Sequence, residues 1–344
     1  FPDTSKIIIP TEVYDFVRFG TRLELAAMDT YYGDRMEVIK GTLDEQPEDA
    51  VNYLYITDMH YPYGPYYLLE ALQNQVKLIV KTANEDDSID FVCIGGDSIN
   101  GNQSKSENLK LLNAIFTPLL DCNKPVIIIQ GNHDDSGWQS TFDMSQMFSH
   151  KDWRDNIINK YVNRTLEDGT VIQVVNNSAD DNSEYYYYDL ENKKTRLIIL
   201  DSIDYDMEYD ENGTVTGLEI LDASKPESSI ERYKTGYTYW GYSKEQLKWL
   251  ADEALGNLPE GYDVVFLSHM GIDNTTSGAD FLGEELRGII GAYQNKTEYV
   301  NNDFNINVDY TGEQGRIRSF QFGHTHYERK YYDSDIDLAQ INTG

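Results

Sequence analysis

Histidine is scarce in this chain and unevenly placed. The 344 residues hold six histidines, and all but His150 stand at or just past the end of a strand-like apolar run. "YLYIT" leads into Asp58-Met59-His60 and "FVCIGG" into Asp97. "VIIIQG" leads into Asn132-His133-Asp134, "VVFLS" into His269, and "SFQFG" into His324-Thr325-His326. One histidine in such a place is ordinarily a satisfied core or surface group. Five of them, interleaved with carboxylates and an amide oxygen and without thiolate, make a donor set that suits Mn, Fe or Zn. So many ligands would crowd a single ion. Two ions about 3.5–4 Å apart would use them well, and such a pair clamps the attacking and leaving oxygens of a phosphate ester.

The elements that must position these residues can be read around them. Residues 51–57, 90–95, 125–130, 195–202, 263–268 and 316–323 are apolar runs that predict strands. Leu68, Leu69, Leu72, Val76, Ile79 and Val80 recur at helical spacing, and residues 108–120, 243–255 and 281–293 predict further helices. Ser243 and Gln246 have the spacing of a capping box at the start of the second of these. Continuous apolar strands alternating with helices indicate βαβ units with a covered sheet. In open α/β sheets, sites form at the carboxyl ends of the strands, so blocks spread along the chain would converge.

The blocks "DMH" (58–60), "GGD" (95–97), "GNHD" (131–134), "SH" (268–269) and "GHTH" (323–326) stand in the order D-x-H, G-D, G-N-H-D/E, H, G-H-x-H. In this the sequence resembles the calcineurin-like metallophosphoesterase superfamily over residues 51–344. The resemblance implies a four-layer α/β/β/α sandwich of two facing mixed sheets. It implies two divalent or trivalent metal ions (Mn, Fe or Zn). Asp58, His60 and His326 would hold one ion, Asn132, His269 and His324 the other, and Asp97 would bridge them. His133 would act as general acid, and Asp134 would orient the loop or a ligand. The implied activity is hydrolysis of phosphomonoesters or phosphodiesters, with a metal-bridging hydroxide as nucleophile. Asn100 stands where purple acid phosphatases would carry tyrosine and serine/threonine phosphatases aspartate, so what tunes His133 is left open. Two rival readings are a nuclease and a non-catalytic metal-binding interaction module on the same fold.

Composition narrows the partners. A net charge of −31 repels nucleic acid and anionic membranes, which favours a small phosphorylated substrate and argues against the nuclease. No apolar run approaches the length of a membrane span, and no obligate protein partner is evident. The start at Phe1 reads as a processed or trimmed terminus, compatible with a secreted or periplasmic protein and equally with a cytoplasmic one. Cys93 lies in an apolar run, which predicts a buried free thiol. Residues 1–50 read as a β-rich or irregular extension packed on a main domain of 51–344.

Weaker signals complete the reading. Glu208 to Glu219 nearly fits a calcium loop, but "ENG" between short runs is also a hairpin signal. The tyrosines of "EYYYYDL" are expected to alternate between core and surface. Trp138, Arg232, Lys234, Tyr239, Trp240, Arg316 and Arg318 are candidates for substrate contact.

Overall fold

The apolar runs that lead into the histidine blocks fold as strands, and the periodic segments between them fold as helices. The computed structural model describes residues 41, 43, 46–47, 49–62, 69–138, 143–175, 183–204, 207–218, 240–272 and 281–343. Most of the expected extension therefore lies outside the described residues, as do Arg232, Lys234 and Tyr239.

The first strands are β1 (Tyr53–Ile56), β2 (Phe91–Ile94) and β3 (Val126–Ile128). They form a parallel sheet in that order. Parallel neighbours need crossovers, here the helices α1 (Leu69–Glu85) and α2 (Lys105–Phe116). The expected helix over 108–120 stops at Phe116 and tightens into a 3₁₀ turn over Thr117–Asp121. Pro118 explains this, since it has no N–H to give to the Ala114 carbonyl. Gln73 Nε2 donates to that carbonyl instead, at 2.8 Å.

Helix α3 (His150–Trp153) opens on a Ser149–Asp152 capping box and continues π-wound over Arg154–Val162. The small hairpin β4 (Arg164–Thr165) and β5 (Val171–Ile172) follows. Next come β6 (Tyr186–Leu190), β7 (Thr195–Ile199) and the hairpin β8 (Met207–Tyr209) with β9 (Val215–Leu218). Helix α4 (Lys244–Trp249), π-wound onward through Leu250–Leu255, precedes β10 (Asp263–Leu267). Helix α5 (Gly283–Asn295) precedes the hairpin β11 (Glu298–Asn301) and β12 (Ile306–Asp309). The described chain ends with β13 (Ile317–Phe322), β14 (Arg329–Asp333) and β15 (Leu338–Asn342).

The larger sheet has the order β14-β15-β13-β10-β7-β6. Its four inner strands are parallel, and the edge strands β6 and β14 are antiparallel to their neighbours. Side chains alternate across it with period two. Leu197, Ile199, Val265 and Leu267 join the core that holds β1–β3, α1 and α2. Ile198, Val264, Phe266, Phe320 and Phe322 join a second core with Leu247 and Leu250 of α4 and its π-wound extension and Leu286 and Ile289 of α5. The layers are therefore helices, small sheet, large sheet, helices: an α/β/β/α sandwich. Both faces of the large sheet are covered, and the tyrosine run is corrected on that ground. Tyr186 and Tyr188 pack into the first core, Tyr185 and Tyr187 into the second. Arg196 lies 3.6 Å over the Tyr187 ring and pairs with Asp189 through two hydrogen bonds.

Candidate metal centre

The parallel ladder between β1 and β2 continues past the strands, and this brings the first blocks together. Asp58 N donates to the Gly96 carbonyl at 2.9 Å, and His60 N to the Asp97 carbonyl at 2.8 Å. On the facing sheet, Gly323 N donates to the His269 carbonyl at 2.9 Å. Asp58, His60, Asp97, His324 and His326 all have left-handed backbone, with φ between 47° and 70°. Asp and His are among the residues that tolerate this region, at about 1–3 kcal/mol each. That cost falls on the residues of the blocks themselves. Glycine has a separate use here, close approach. A Cβ on Gly131 would stand 2.2 Å from Asp97 N and Oδ1, and one on Gly323 would stand 2.4 Å from Asp58 Oδ2.

Each side chain is held by one atom and turns another inward. Asp58 Oδ2 accepts from Thr57 Oγ1 at 2.7 Å and from His324 N at 3.0 Å. Its Oδ1 is left 3.3 Å from His326 Nε2 and 3.8 Å from His60 Nε2. Asp97 Oδ1 accepts from His133 N at 2.8 Å. Its Oδ2 lies 3.5 Å from His60 Nε2 and 3.2 Å from His269 Nε2, between the two groups. His269 Nδ1 donates to the Gly95 carbonyl at 2.9 Å. His60 Nε2 and His326 Nε2 face each other at 2.8 Å, which two lone pairs tolerate only with a proton or cation between them.

Of the buried atoms without a hydrogen-bond partner among the described residues, four are carboxylate, amide or imidazole atoms of these blocks: Asp58 Oδ1, Asn132 Oδ1, His269 Nε2 and His324 Nδ1. Buried polar atoms are ordinarily paired, and each one left bare costs about 1–3 kcal/mol. Orphaned ligand atoms drawn from four separate blocks fit a cation centre, beside which Ser268 Oγ and Trp240 Nε1 are buried without a partner as well. The ligand-type atoms of Asp58, His60 and His326 lie within 4.8 Å of one another, and so do those of Asp97, His269 and His324. The family-type pattern and this donor set together imply a dinuclear site.

Charge is divided sharply inside the cluster. Burial opposes ionisation of Asp97, but His269 and His133 outweigh it and hold the carboxyl well below its usual range. Burial likewise opposes ionisation of Asp58, and the nearby His326 and His60 imidazoles hold it low. His269 is carried up to about 9, since Asp97 overcomes its burial. His324 is pushed down to about 4 by burial and then by His269. Among the metal-free side chains, protons thus occupy places that cations would take on loading.

His133 is half-buried, stacked on Trp138 with ring centroids 4.1 Å apart. Its Nδ1 donates to the Asn100 carbonyl at 3.1 Å, so Asn100 serves through its backbone where the sequence left the tuning of His133 open. Burial lowers the pKa of His133, partly offset by Asp97. Asp134 Oδ1 and Oδ2 accept from Ile99 N and Gly131 N, which ties the loops after β2 and β3 together. Burial and the charge of Asp97 push its carboxyl up to about 7.

Trp138 and Trp240 both line this region. Trp240 meets His324 edge-on at 4.7 Å, and its Nε1 is buried without a partner. Arg316 and Arg318 do not. They sit at the start of β13, where Arg316 N and Arg318 Nε donate to Asp263, at the opposite end of the strand from His324. The near-calcium loop is the hairpin of β8 and β9. Asp210 Oδ1 accepts from Asn212 N and Thr214 N, and strands stand where an EF-hand needs helices. Sequence reasoning missed Thr57, whose hydroxyl orients Asp58, and the Asn342–Thr325 hydrogen bond that steadies "GHTH". Thr57 is the last residue of an apolar run, and that position was its signal.

Comparisons with known proteins bear on the family and the fold. The family of calcineurin-like phosphoesterases matches residues 51–328. An uncharacterized Schizosaccharomyces pombe protein is 30% identical over 119 residues, 31% of this chain and 23% of the relative. The chain thus spans under a quarter of that relative's length. A dimetal phosphatase from Danio rerio has a similar structure, with a TM-score of 0.54 at 17% identity, covering 85% of this chain and 86% of the other. A phosphopantetheinyl hydrolase from Mycobacterium tuberculosis aligns with a TM-score of 0.39 at 12% identity, covering 85% and 89%.

Proposed function

We propose, from the premise that this chain belongs to the calcineurin-like phosphoesterase family, that it is a dinuclear metal-dependent hydrolase of phosphomonoesters or phosphodiesters. One ion would be held by Asp58, His60 and His326, the other by Asn132, His269 and His324, with Asp97 shared. The observation that carries this is the set of orphaned, buried ligand atoms gathered from both sheets around Asp97. When bound, the two ions supply Lewis acidity to the phosphoryl group and an activated water.

The chain's own groups do the rest. Asp97 Oδ1 is fixed by the His133 amide, which leaves Oδ2 aimed between the two halves of the site. Thr57 and His324 N fix Asp58 in the same way. His133 has Nδ1 committed to Asn100 and one ring face to Trp138, so Nε2 is the atom left to give a proton to the leaving oxygen. A general acid so placed contributes about 10²–10⁴-fold. Trp240, edge-on to His324, gives the site an aromatic wall suited to an ester substituent.

The test is turnover after equilibration with Mn²⁺ on para-nitrophenyl phosphate, bis-para-nitrophenyl phosphate and a nucleotide panel. Hydrolysis that is lost on chelation and regained with the metal is expected. A protein that binds two ions per chain at this site yet hydrolyses none of these esters would be a binding module, and the reading would fail.

A further inference from the structure

The one histidine outside the metal centre sits in a second cluster. His150 opens α3, Glu184 precedes β6, and Asp201 and Asp204 follow β7. The antiparallel pairing of β6 with β7 ends at Tyr186 and Ile199, two residues from Glu184 and from Asp201, which the same register sets opposite each other. The ligand-type atoms of His150, Asp201 and Asp204 lie within 4.8 Å of one another.

Here too the carboxylates are anchored by one oxygen and turn the other toward the cluster. Asp201 Oδ1 accepts from Ile203 N at 2.9 Å, and Oδ2 is buried without a partner in a residue only 3% exposed. Asp204 Oδ2 accepts from Ser243 Oγ and from Gln246 Nε2. Its Oδ1 is left 3.9 Å from His150 Nε2, too far for a hydrogen bond. His150 Nδ1 lies 3.1 Å from Glu184 Oε1, while Glu184 Oε2 is buried and unpartnered in a residue 6% exposed. An imidazole with one nitrogen on a carboxylate and the other turned to carboxylate oxygens is the arrangement that orients a metal-ligating histidine.

We propose that His150, Asp201 and Asp204 form a third divalent-cation site, for an ion of mixed nitrogen and oxygen preference such as Mn²⁺ or Zn²⁺, with Glu184 orienting His150. The donors match such ions, and two buried acids and one partly buried acid against one imidazole leave negative charge for a cation to neutralise. His150 and Asp204 keep 18% and 12% side-chain exposure, which gives the ion a way in from solvent.

The ion would brace a wall of the first site. Gln246 both accepts from Asp201 N and donates to the Asp201 carbonyl, which links the cluster to α4. Ile203, between the two aspartates, packs with Met147 and Met270, and Trp240 packs on that cluster and meets His324 edge-on.

The experiment uses the full chain, stripped by chelation and re-equilibrated with Mn²⁺ alone or, separately, Zn²⁺ alone, then measured for metal per chain by mass spectrometry. Wild type should carry one ion more than folded Asp204→Asn or Asp201→Asn. The same one-ion difference should persist when Asp97→Asn is added to both proteins, which separates this site from the first. If Asp201→Asn does not fold, His150→Gln replaces it, because it keeps a polar group and removes the nitrogen ligand. Glu184→Gln should keep the ion at saturation but bind it about 10–100-fold more weakly. Equal metal content in wild type and the folded variants would overturn the proposal and leave a proton-closed ion-pair network.

Discussion

Two groups of ligand-type side chains stand at strand ends in this molecule, and they are assembled in opposite ways. The centre around Asp97 draws Asp58, His60, Asp97 and Asn132 from the small sheet and His269, His324 and His326 from the large one. It is rich in imidazole, and most of its residues bend the backbone into the left-handed region. The cluster around Asp201 uses one edge of the large sheet and the start of α3. It is rich in carboxylate, and none of its four residues is left-handed among the described backbone. The first is thus a product of the tertiary fold, since neither sheet alone has a full ligand set. The second is nearly local: a β-hairpin register, a helix cap and two capping side chains define it.

The comparison can be broken most forcefully at Asp97. Asp97→Asn should lower phosphoester turnover by about three orders of magnitude, as several kcal/mol of lost Lewis-acid stabilisation at about 1.4 kcal/mol per decade imply. Steady-state kinetics with metal analysis check it, and an active, fully loaded variant would remove Asp97 from the bridging role. His133→Ala should cost about 10²-fold or more in rate with its metal content intact. Loss of metal in that variant would make His133 a ligand instead. Chelation should lower thermal stability in both sites' terms. At free metal near 100 times the dissociation constant, a site contributes about 2.7 kcal/mol. Wild type should therefore respond to chelator more than Asp97→Asn does, and equal responses would mean that the first site does not couple to folding.

Gly323→Ala should separate the two sites at a cost of about 1–3 kcal/mol in stability, because its methyl must displace Asp58. Calorimetric titration should show weaker binding at the first site with the second site's affinity kept. The smallest effect is a pH slope in the stripped protein. His150, faced by Glu184, Asp204 and Asp201, has a folded pKa above its ordinary 6.5, near 10. Between those values the native state holds a proton that the unfolded state has released, so stability falls as pH rises. Denaturant melts from pH 6.5 to 10 should show this decline, and His150→Gln should flatten it. A wild-type stability that rises across that window would contradict the assignment.

The first site was legible because each of its members ends an apolar run, and apolar runs in a covered parallel sheet are easy to read. The same rule, extended to the run 195–202, would have reached Asp201 but not its partners. Glu184 meets Asp201 through the register of β6 on β7, and register is a property of pairing rather than of either segment. His150 is brought in by α3, which no periodicity marked. The same gap explains the capping box. Ser243 Oγ does accept from Gln246 N at 3.0 Å. The Gln246 side chain, however, turns away from the Ser243 amide to Asp201 and Asp204. The tyrosine run misled because period-two alternation shows two faces and cannot say that both are covered. Arg316 and Arg318 misled because charge alone does not tell which end of a strand a residue occupies.

The nearest approach in the first site joins residues 266 positions apart, His60 and His326. Its consequence lies in the order in which the chain is made. A nascent chain that has emerged as far as Asp134 carries β1, β2, β3 and the acids, but none of the three late histidines. Loop closure over so long a stretch is entropically costly, and a shared ion that spans it would act as a latch on the completed domain. Metal uptake would then be a late event in biogenesis, a mark that synthesis has passed the second histidine of "GHTH" and that the two sheets have met.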